Sequence, residues 1–538
     1  MNLAPFLIAF LFSRDKLPQS VVIAAAQCIF VLSDDNNHFA SQLRNDSSCV
    51  ACLVEVAQSE SAPTSATPAN PSAAAAVNVR HTQLRVLACA ILKNLSPFPP
   101  MMPAAALDLD SAIVLPLMTP LLSGTSLSTI AERVQELVPL AEAEAQKALD
   151  NPSTKIAPKS DDRGEAQREL EVLEDGLRAV QLALEVLTGV CATLPDPEPA
   201  PEGEVEEEEP VEEDGDEEWA GEFCYLGFEF GEADAEIDDA QPSERDEDQI
   251  LEMDVETGTD NDLSDSIALS QSPILALLPS LLALAHPTPL SFPPLPSSTA
   301  AVVSCPPITS VLGAVHVRAL ECVANVFLGR EHSRLDGTQS SELWRGIWSA
   351  LGAVGPFVDS APAGHERRVE MWDAGAGALW GVSKASLGVL FPEEEPVRVL
   401  MEAIPSAARD PRLQVKLIGV LECLAQNRET VHANKAIADF LVSVLPPTSI
   451  GALTVEPTLQ AASALIDIFA DEEASYDVNF RAGRFTDRLN EAVLPLRKMV
   501  RAVDKKSDGG RELRARGDGV LENLVAFIKY RRGLGKGF

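Results

Sequence analysis

The amino-acid sequence predicts an all-α protein whose helices repeat along the chain and stack as an armadillo/HEAT-repeat α-solenoid. Of its 538 residues, 46% are hydrophobic and 5% are aromatic, a composition that favours helices over strands. Apolar residues recur with the 3.6-residue period of a helix. Four apolar segments in the C-terminal half end at Gly329, Ser383, Gln426 and Asp471, with spacings of 54, 43 and 45 residues. Armadillo and HEAT repeats have roughly 40–47 residues, and their helix pairs bury both faces only by stacking on neighbours.

Seven segments carry the helical pattern most clearly. Each has the apolar content and length of a buried helix. We therefore predict helices over Val21–Leu32, His81–Leu95, Leu177–Ala192, Val317–Leu328, Arg368–Val382, Leu413–Leu424 and Leu459–Ala470.

Two interruptions divide the predicted repeats. Residues 59–77 are small, polar and rich in proline, so we expect a disordered loop at about 58–80. Residues 196–268 are strongly acidic and low in hydrophobic content, so self-repulsion should keep them unfolded when free. The expected organisation is helical repeats in residues 1–195, an acidic disordered insertion in residues 196–268, and further helical repeats in residues 269–538.

The negative charge is concentrated in this acidic insertion. The whole chain has a net charge of −39, and the stretch from Asp196 to Asp265 contains 31 acidic residues and a single base, Arg245. The rest of the chain is therefore only mildly acidic. Because phosphate contacts need clustered Lys and Arg, this balance argues against direct binding to nucleic acid or to an anionic membrane. It favours a basic protein partner.

Aromatic side chains are interspersed among the carboxylates of the acidic insertion, and two interpretations are open. The insertion is either a solvated linker that aids solubility, or a binding element that combines negative charge with apolar anchors. In the second case it resembles the surface of RNA and shields the basic surface of an RNA-binding client. The candidate client-binding residues are Glu206, Glu207, Glu208, Glu209, Glu212, Glu213, Asp214, Asp216, Glu217, Glu218, Trp219, Phe223 and Tyr225.

An asparagine on an inner repeat helix is the second candidate binding feature. Asn94 lies in ACAILKNLS and Asn325 in ALECVANVF. In armadillo repeats such an amide points into the groove, where it can both donate to and accept from the backbone of an extended peptide. The alternative is an asparagine near a helix end that caps the helix or is solvated.

The motifs that would indicate enzyme chemistry are incomplete. The Cys49-Val-Ala-Cys52 pair has no second pair of metal ligands at a suitable spacing. His365-Glu366 begins like a zinc-protease motif but lacks the second histidine. The run Gly375-x-Gly377-x-x-x-Gly381 misses the dinucleotide-binding spacing and indicates close helix packing instead. We therefore expect no enzyme activity, no metal and no cofactor.

The sequence also bears on the compartment. The nine cysteines lie mostly in apolar helical segments, which is typical of reduced thiols in the cytosol or nucleus. The apolar stretch Asn2–Phe12 lacks the preceding base and the cleavage site of a signal peptide. The longest other apolar run, Pro273–Ala285, is too short to span a bilayer. We expect a soluble, intracellular and monomeric protein.

An ordered set of blocks resembles the symportin family, also called HEAT repeat-containing protein 3. The most specific block is ALIDIFADEE, Ala464–Glu473, and DEEW at Asp216–Trp219 lies within the acidic insertion. Order and spacing match over nearly the whole chain. The other blocks are Ala24–Asn36, Leu84–Leu95, Ala179–Ala192, Val317–Leu328, Leu496–Ala502 and Leu521–Arg532.

The resemblance implies a function. Members of this family are chaperones that carry newly made large-subunit ribosomal proteins, those that bind 5S rRNA, into the nucleus. One client is held through an extended peptide in the solenoid groove, and the other with help from the acidic loop. A karyopherin-β of the transportin type imports the complex, so the protein is expected to shuttle between cytoplasm and nucleus and to support 5S ribonucleoprotein and 60S ribosome assembly.

The chain departs from the family pattern at its start. The family begins with a basic tail and further repeats, whereas here Met1 leads directly into the apolar LAPFLIAFL, which is typical of the inside of a repeat. No Pro-Tyr dipeptide occurs in the chain, so the import signal read by transportin-type receptors is not found, and a truncated start is expected. The alternative function is a generic armadillo/HEAT scaffold for protein–protein interactions. An importin-like carrier and an enzyme are less favoured.

Overall fold

The computed structural model describes residues 3–59, 71–150, 164–192, 274–294, 305–328, 335–357, 365–447 and 453–534. Within these ranges the chain forms nineteen α-helices and no strand. Two short 3-10 segments, Pro103–Ala106 and Leu275–Leu277, and one π-helical turn, Asp110–Val114, complete the regular structure of the described residues.

The helices fall on both sides of the undescribed residues 193–273. Before them lie α1 (Leu3–Phe12), α2 (Gln19–Asp35), α3 (Asn37–Arg44), α4 (Ser47–Gln58), α5 (Pro71–Leu95), α6 (Leu115–Ser123), α7 (Leu127–Asp150) and α8 (Glu165–Ala192). After them lie α9 (Leu278–Ala285), α10 (Pro306–Leu328), α11 (Gly337–Val354), α12 (Glu366–Ala385), α13 (Glu394–Ser406), α14 (Pro411–Ala425), α15 (Val431–Ser443), α16 (Val455–Ile468), α17 (Asp477–Ala482), α18 (Phe485–Ala502) and α19 (Gly510–Leu534).

Eight helices form a continuous stack, which we call the inner row. Each packs against the member before it and the member after it, and α8 packs directly on α10. The other eleven helices, here called the outer helices, pack alongside this stack. The prediction of an all-α solenoid is therefore confirmed. The inner row consists of α2, α5, α8, α10, α12, α14, α16 and α19.

The central helix α10 shows why these sequences enter the inner row. Leu320, Cys322 and Val323 are completely buried, because α8 and α12 cover opposite sides of the helix. Burial on most sides favours a helix that is apolar all round. Among single described helices, α10 alone is long and apolar enough to cross a membrane, and most of its residues are buried by neighbouring helices.

Glycines on α12 and α14 permit close helix contacts. A Cβ at Gly381 of α12 would lie 3.0 Å from the Cβ of Phe327 on α10. A Cβ on Gly419 of α14 would lie 2.3 Å from the indole ring of Trp380 on α12. The prediction that the glycine run of residues 375–381 serves helix packing is thus confirmed.

One expected loop is shorter in the structure. Residues 71–80 belong to helix α5, whereas the sequence analysis assigned about 58–80 to a disordered loop. Four alanines, residues 73–76, follow Pro71. Alanine has the highest helix propensity, and proline is well tolerated in the first turn of a helix. Residues 60–70 lie outside the described part of the chain.

A buried ion pair fastens the last inner helix to the outer helix α17. Arg531 of α19 donates to the Asp477 carboxylate and, at 3.3 Å, to the carbonyl of Phe469. Its guanidinium lies 4.2 Å from the centre of the Phe480 ring. Both charged side chains are almost fully buried. Their charges are therefore compensated by each other rather than by water.

Candidate binding face of the inner row

Polar side chains connect consecutive helices of the inner row in its N-terminal half. Arg80 of α5 lies 3.9 Å from Asp175 of α8. Glu185 of α8 lies 3.6 Å from Arg318 of α10. All four side chains are half-exposed, so water or a ligand can reach them.

The same arrangement continues through the C-terminal half. Lys416 of α14 forms an ion pair of 2.7 Å with Asp373 of α12. Gln460 of α16 donates to Glu422 of α14 at 3.2 Å and accepts from Arg516 of α19 at 2.7 Å. We call this set the polar ladder. It comprises Arg80, Asp175, Glu185, Arg318, Asp373, Lys416, Glu422, Gln460 and Arg516.

The two predicted asparagines also connect neighbours in the inner row. The amide nitrogen of Asn94 on α5 donates to the carbonyl of Phe30 at 3.4 Å and to the hydroxyl of Ser33 at 3.2 Å, both on α2. The amide nitrogen of Asn325 on α10 donates to the carbonyl of Thr188 on α8 at 3.2 Å. The two side chains make equivalent contacts two repeats apart, and both are partly buried. Their role in binding a peptide stays a prediction.

Comparison with known proteins shows which repeats these resemble. Residues 275–535 match the family described as "SYO1-like, TPR repeats". A 127-residue stretch is 32% identical to Symportin 1 of Chaetomium thermophilum, and covers 22% of this chain and 17% of that protein. The resemblance to the symportin family is confirmed.

A second relative is named as an armadillo repeat protein. A 157-residue stretch is 26% identical to the Schizosaccharomyces pombe protein named "Armadillo repeat protein involved in nucleocytoplasmic transport Syo2", and covers 28% of this chain and 22% of that protein. The matches thus span about a fifth of the length of each relative. The symportin-like repeats of residues 275–535 include α9 to α19, and hence the C-terminal half of the polar ladder.

Two carboxyl groups meet within these symportin-like repeats. Glu422 of α14 and Asp467 of α16 share a hydrogen bond. Burial raises the pKa of Glu422, and the neighbouring Asp467 raises it further. Burial also raises the pKa of Asp467. The pair therefore retains a proton at pH values where isolated carboxyl groups have lost it.

The cysteines of the Cys49-Val-Ala-Cys52 motif are both buried on α4. Burial is the largest cause that raises the pKa of the Cys49 thiol, to about 12, and it also raises the pKa of Cys52. Because the pKa of each thiol is raised, both are protonated at neutral pH and are poor nucleophiles.

The described residues contain no group of three or more His, Cys, Asp or Glu side chains placed to hold a metal ion.

The predicted acidic client-binding residues, from Glu206 to Tyr225, lie outside the described residues. Sequence reasoning did not find the polar ladder. The available signal was a single charge within an otherwise apolar helix, as in Arg318 of VRALECVAN and Lys416 of LQVKLIGVL. Such a charge does not reveal its partner, because Arg318 and Glu185 are far apart along the chain.

Proposed function

We propose that this symportin-like chain is a chaperone and nuclear-import adaptor for newly made ribosomal proteins that bind 5S rRNA. The names of the two relatives, a symportin and a protein involved in nucleocytoplasmic transport, support this class of function. Assistance to 5S ribonucleoprotein and 60S assembly follows from the identity of the proposed clients. A karyopherin-β of the transportin type is the proposed import receptor.

The polar ladder is the observation that carries the proposal. It places hydrogen-bonding and charged groups on successive helices of the stack. Its ion pairs between α5 and α8, between α8 and α10, and between α12 and α14 lie where solvent can reach them, whereas Gln460 is buried. An extended peptide presents one backbone donor and one acceptor per residue, and these groups need partners when the peptide leaves water. A row of regularly repeated polar side chains satisfies this need, as in other repeat proteins that bind along their stack.

The acidic insertion is the proposed second binding element. Its 31 acidic residues against one base would attract and shield a strongly basic protein surface. Such an interaction weakens steeply with salt, because the charges are screened over about 8–10 Å at moderate ionic strength.

Calorimetry on the full chain and on a deletion of residues 196–268 tests the proposed client. The titrant is a basic 5S-binding ribosomal protein, measured at low and moderate salt. We expect the full chain to bind, with an affinity that falls as salt rises. The deletion should bind more weakly and with less dependence on salt.

Two results would contradict the proposal in different ways. Unchanged affinity of the deletion variant would remove the insertion from the binding site. Absence of binding by the full chain, together with pull-downs that lack ribosomal proteins at moderate salt, would favour the generic scaffold function instead.

A further inference from the structure

Seven basic side chains cluster at the junction of α18 and α19. The last two turns of α18 carry Arg497, Lys498 and Arg501, and the first two turns of α19 carry Arg511 and Arg514. Because the two helices pack against each other and a short turn joins them, these helix ends lie at the same end of a helical hairpin. The turn itself adds Lys505 and Lys506. We call these seven residues the basic turn.

The basic turn is locally positive in a chain of net charge −39. Residues 497–514 contain seven bases and three acids, Asp504, Asp508 and Glu512. Asp504 accepts the backbone N–H groups of Lys506 and Ser507 and so helps to fix the turn. None of the seven basic side chains forms an ion pair with a described residue, whereas many other bases in the described ranges do.

Part of this placement of charge disfavours the fold locally. Arg497 and Arg501 are four residues apart on one helix face, where like charges repel. Arg511 lies in the first turn of α19, where the helix dipole disfavours positive charge, whereas Arg501 lies in the last turn of α18, where the dipole favours it. Five of the seven side chains are exposed and the other two are half-exposed, so a ligand can reach them. A cluster of seven unpaired cations at an accessible site indicates a negatively charged ligand.

The composition of the basic turn favours a phosphate backbone over an acidic protein surface. No large apolar side chain from residue 495 to residue 524 is exposed, and the nearest exposed one is Leu494, one turn before Arg497 and Lys498 on α18. Specific protein–protein interfaces usually have an apolar core surrounded by polar groups. Binding to a phosphate backbone depends instead on Lys and Arg, and needs no apolar anchor.

We propose that the basic turn binds the phosphate backbone of nucleic acid without reading its bases. The sequence analysis disfavoured nucleic acid because Lys and Arg are outnumbered along the chain, but the structure brings seven of them together at one helix junction. The proposal is independent of the carrier function, since its residues are not part of the polar ladder.

Fluorescence anisotropy on the full chain tests this proposal. The probes are labelled duplex RNA and DNA of about 16 base pairs and a labelled poly-glutamate peptide, at about 50 to 200 mM salt. The variant is Arg497→Ala/Arg501→Ala/Lys505→Ala/Lys506→Ala. The matched control, Arg178→Ala/Arg398→Ala/Arg428→Ala/Lys435→Ala, removes four exposed bases that each pair with an acid.

We expect both duplexes to bind the full chain and the control with similar affinity. The basic-turn variant should bind at least about tenfold more weakly at low salt, and its log–log salt slope should fall by about 0.7–0.9 for each phosphate that the variant no longer neutralises. No binding of either duplex at about 50 mM salt would overturn the proposal, as would equal weakening in the control. Tighter binding of poly-glutamate, abolished in the same variant, would identify an acidic protein as the ligand and also overturn it.

Discussion

The inner row and the outer helices differ in how they are buried. Phe327 on α10 and Leu417 on α14 are almost completely shielded from solvent, because inner helices contact neighbours on several sides. Outer helices keep one open face, as Leu140 on α7 and Leu494 on α18 show, with 55% and 65% of their surface exposed. The first inner helix, α2, also has an open face, where 62% of Val31 is exposed. Burial of apolar area is the main source of folding free energy. Stability should therefore be concentrated in the central helices of the inner row, which leaves the outer helices freer to vary.

The sharpest exception to this division is the buried pair of Arg531 on inner helix α19 and Asp477 on outer helix α17. Asp477→Asn should leave the Arg531 guanidinium buried without a countercharge. We expect a loss of about 3–5 kcal/mol in unfolding free energy, measured by chemical denaturation.

The double variant Asp477→Leu/Arg531→Met provides the control for this pair. It removes both charges at once, so it should be markedly more stable than Asp477→Asn alone. Equal destabilisation by the double variant would mean that packing, and not charge compensation, holds α17 to α19.

A pair of leucine truncations tests the division directly. Leu320 on α10 is fully buried in the inner row, and Leu494 on α18 is largely exposed on an outer helix. Leu320→Ala should cost about 2–5 kcal/mol through reduced burial and a cavity, and Leu494→Ala less than about 0.5 kcal/mol. Hydrogen exchange on both variants shows whether the loss of stability spreads to α8 and α12. Comparable destabilisation by the two truncations would contradict the expectation that the inner row contributes more to stability than the outer helices.

The same division explains how much of the fold the sequence predicts. All seven predicted segments correspond to inner helices, from Val21–Leu32 in α2 to Leu459–Ala470 in α16. Helix α7 has 24 residues and α14 only 15, yet the seven predicted segments include α14 and not α7. Burial on several sides produces the strong apolar pattern, whereas an amphipathic outer helix mixes charge into it.

The contacts of the candidate binding face were harder to predict from the sequence. Asn94 and Asn325 lie on inner-row helices, and their partners Phe30 and Thr188 belong to other helices. The register of one helix against the next decides which side chains meet, and this register depends on packing throughout the stack. The ladder pairs therefore became visible only in the structure, whereas the bases of the basic turn are already close together in the sequence, between residues 497 and 514.

The Glu422–Asp467 pair should make the stability of the inner row depend on pH. The pKa of Glu422 is raised in the folded state, so folded protein keeps a proton that unfolded protein has lost. Unfolding free energy should therefore fall as pH rises above about 4.5, the usual range for glutamate. A glutamine side chain does not titrate in this range. In Glu422→Gln the fall in unfolding free energy with rising pH should therefore be smaller by about 1 kcal/mol or more.

Urea unfolding at pH 5 and pH 8 measures the effect. Glu422→Gln should be more stable than the parent chain at pH 8 and show little difference at pH 5. Glu402→Gln on outer helix α13, where the carboxylate is exposed and paired with Arg398, is the control and should not change the pH dependence. A parallel pH profile for the parent chain and Glu422→Gln would contradict the shared proton.

The smallest expected effect concerns the start of an outer helix. Asp336 caps α11 by accepting the backbone N–H groups of Thr338 and Gln339, both at 2.8 Å. Asp336→Ala should cost about 1 kcal/mol, and Asp336→Asn less, because an amide oxygen still accepts both bonds. Hydrogen exchange should localise the change to the first turn of α11 and leave the neighbouring inner helix α12 protected. Loss of protection in α12 would mean that outer helices support the inner row more strongly than their burial indicates.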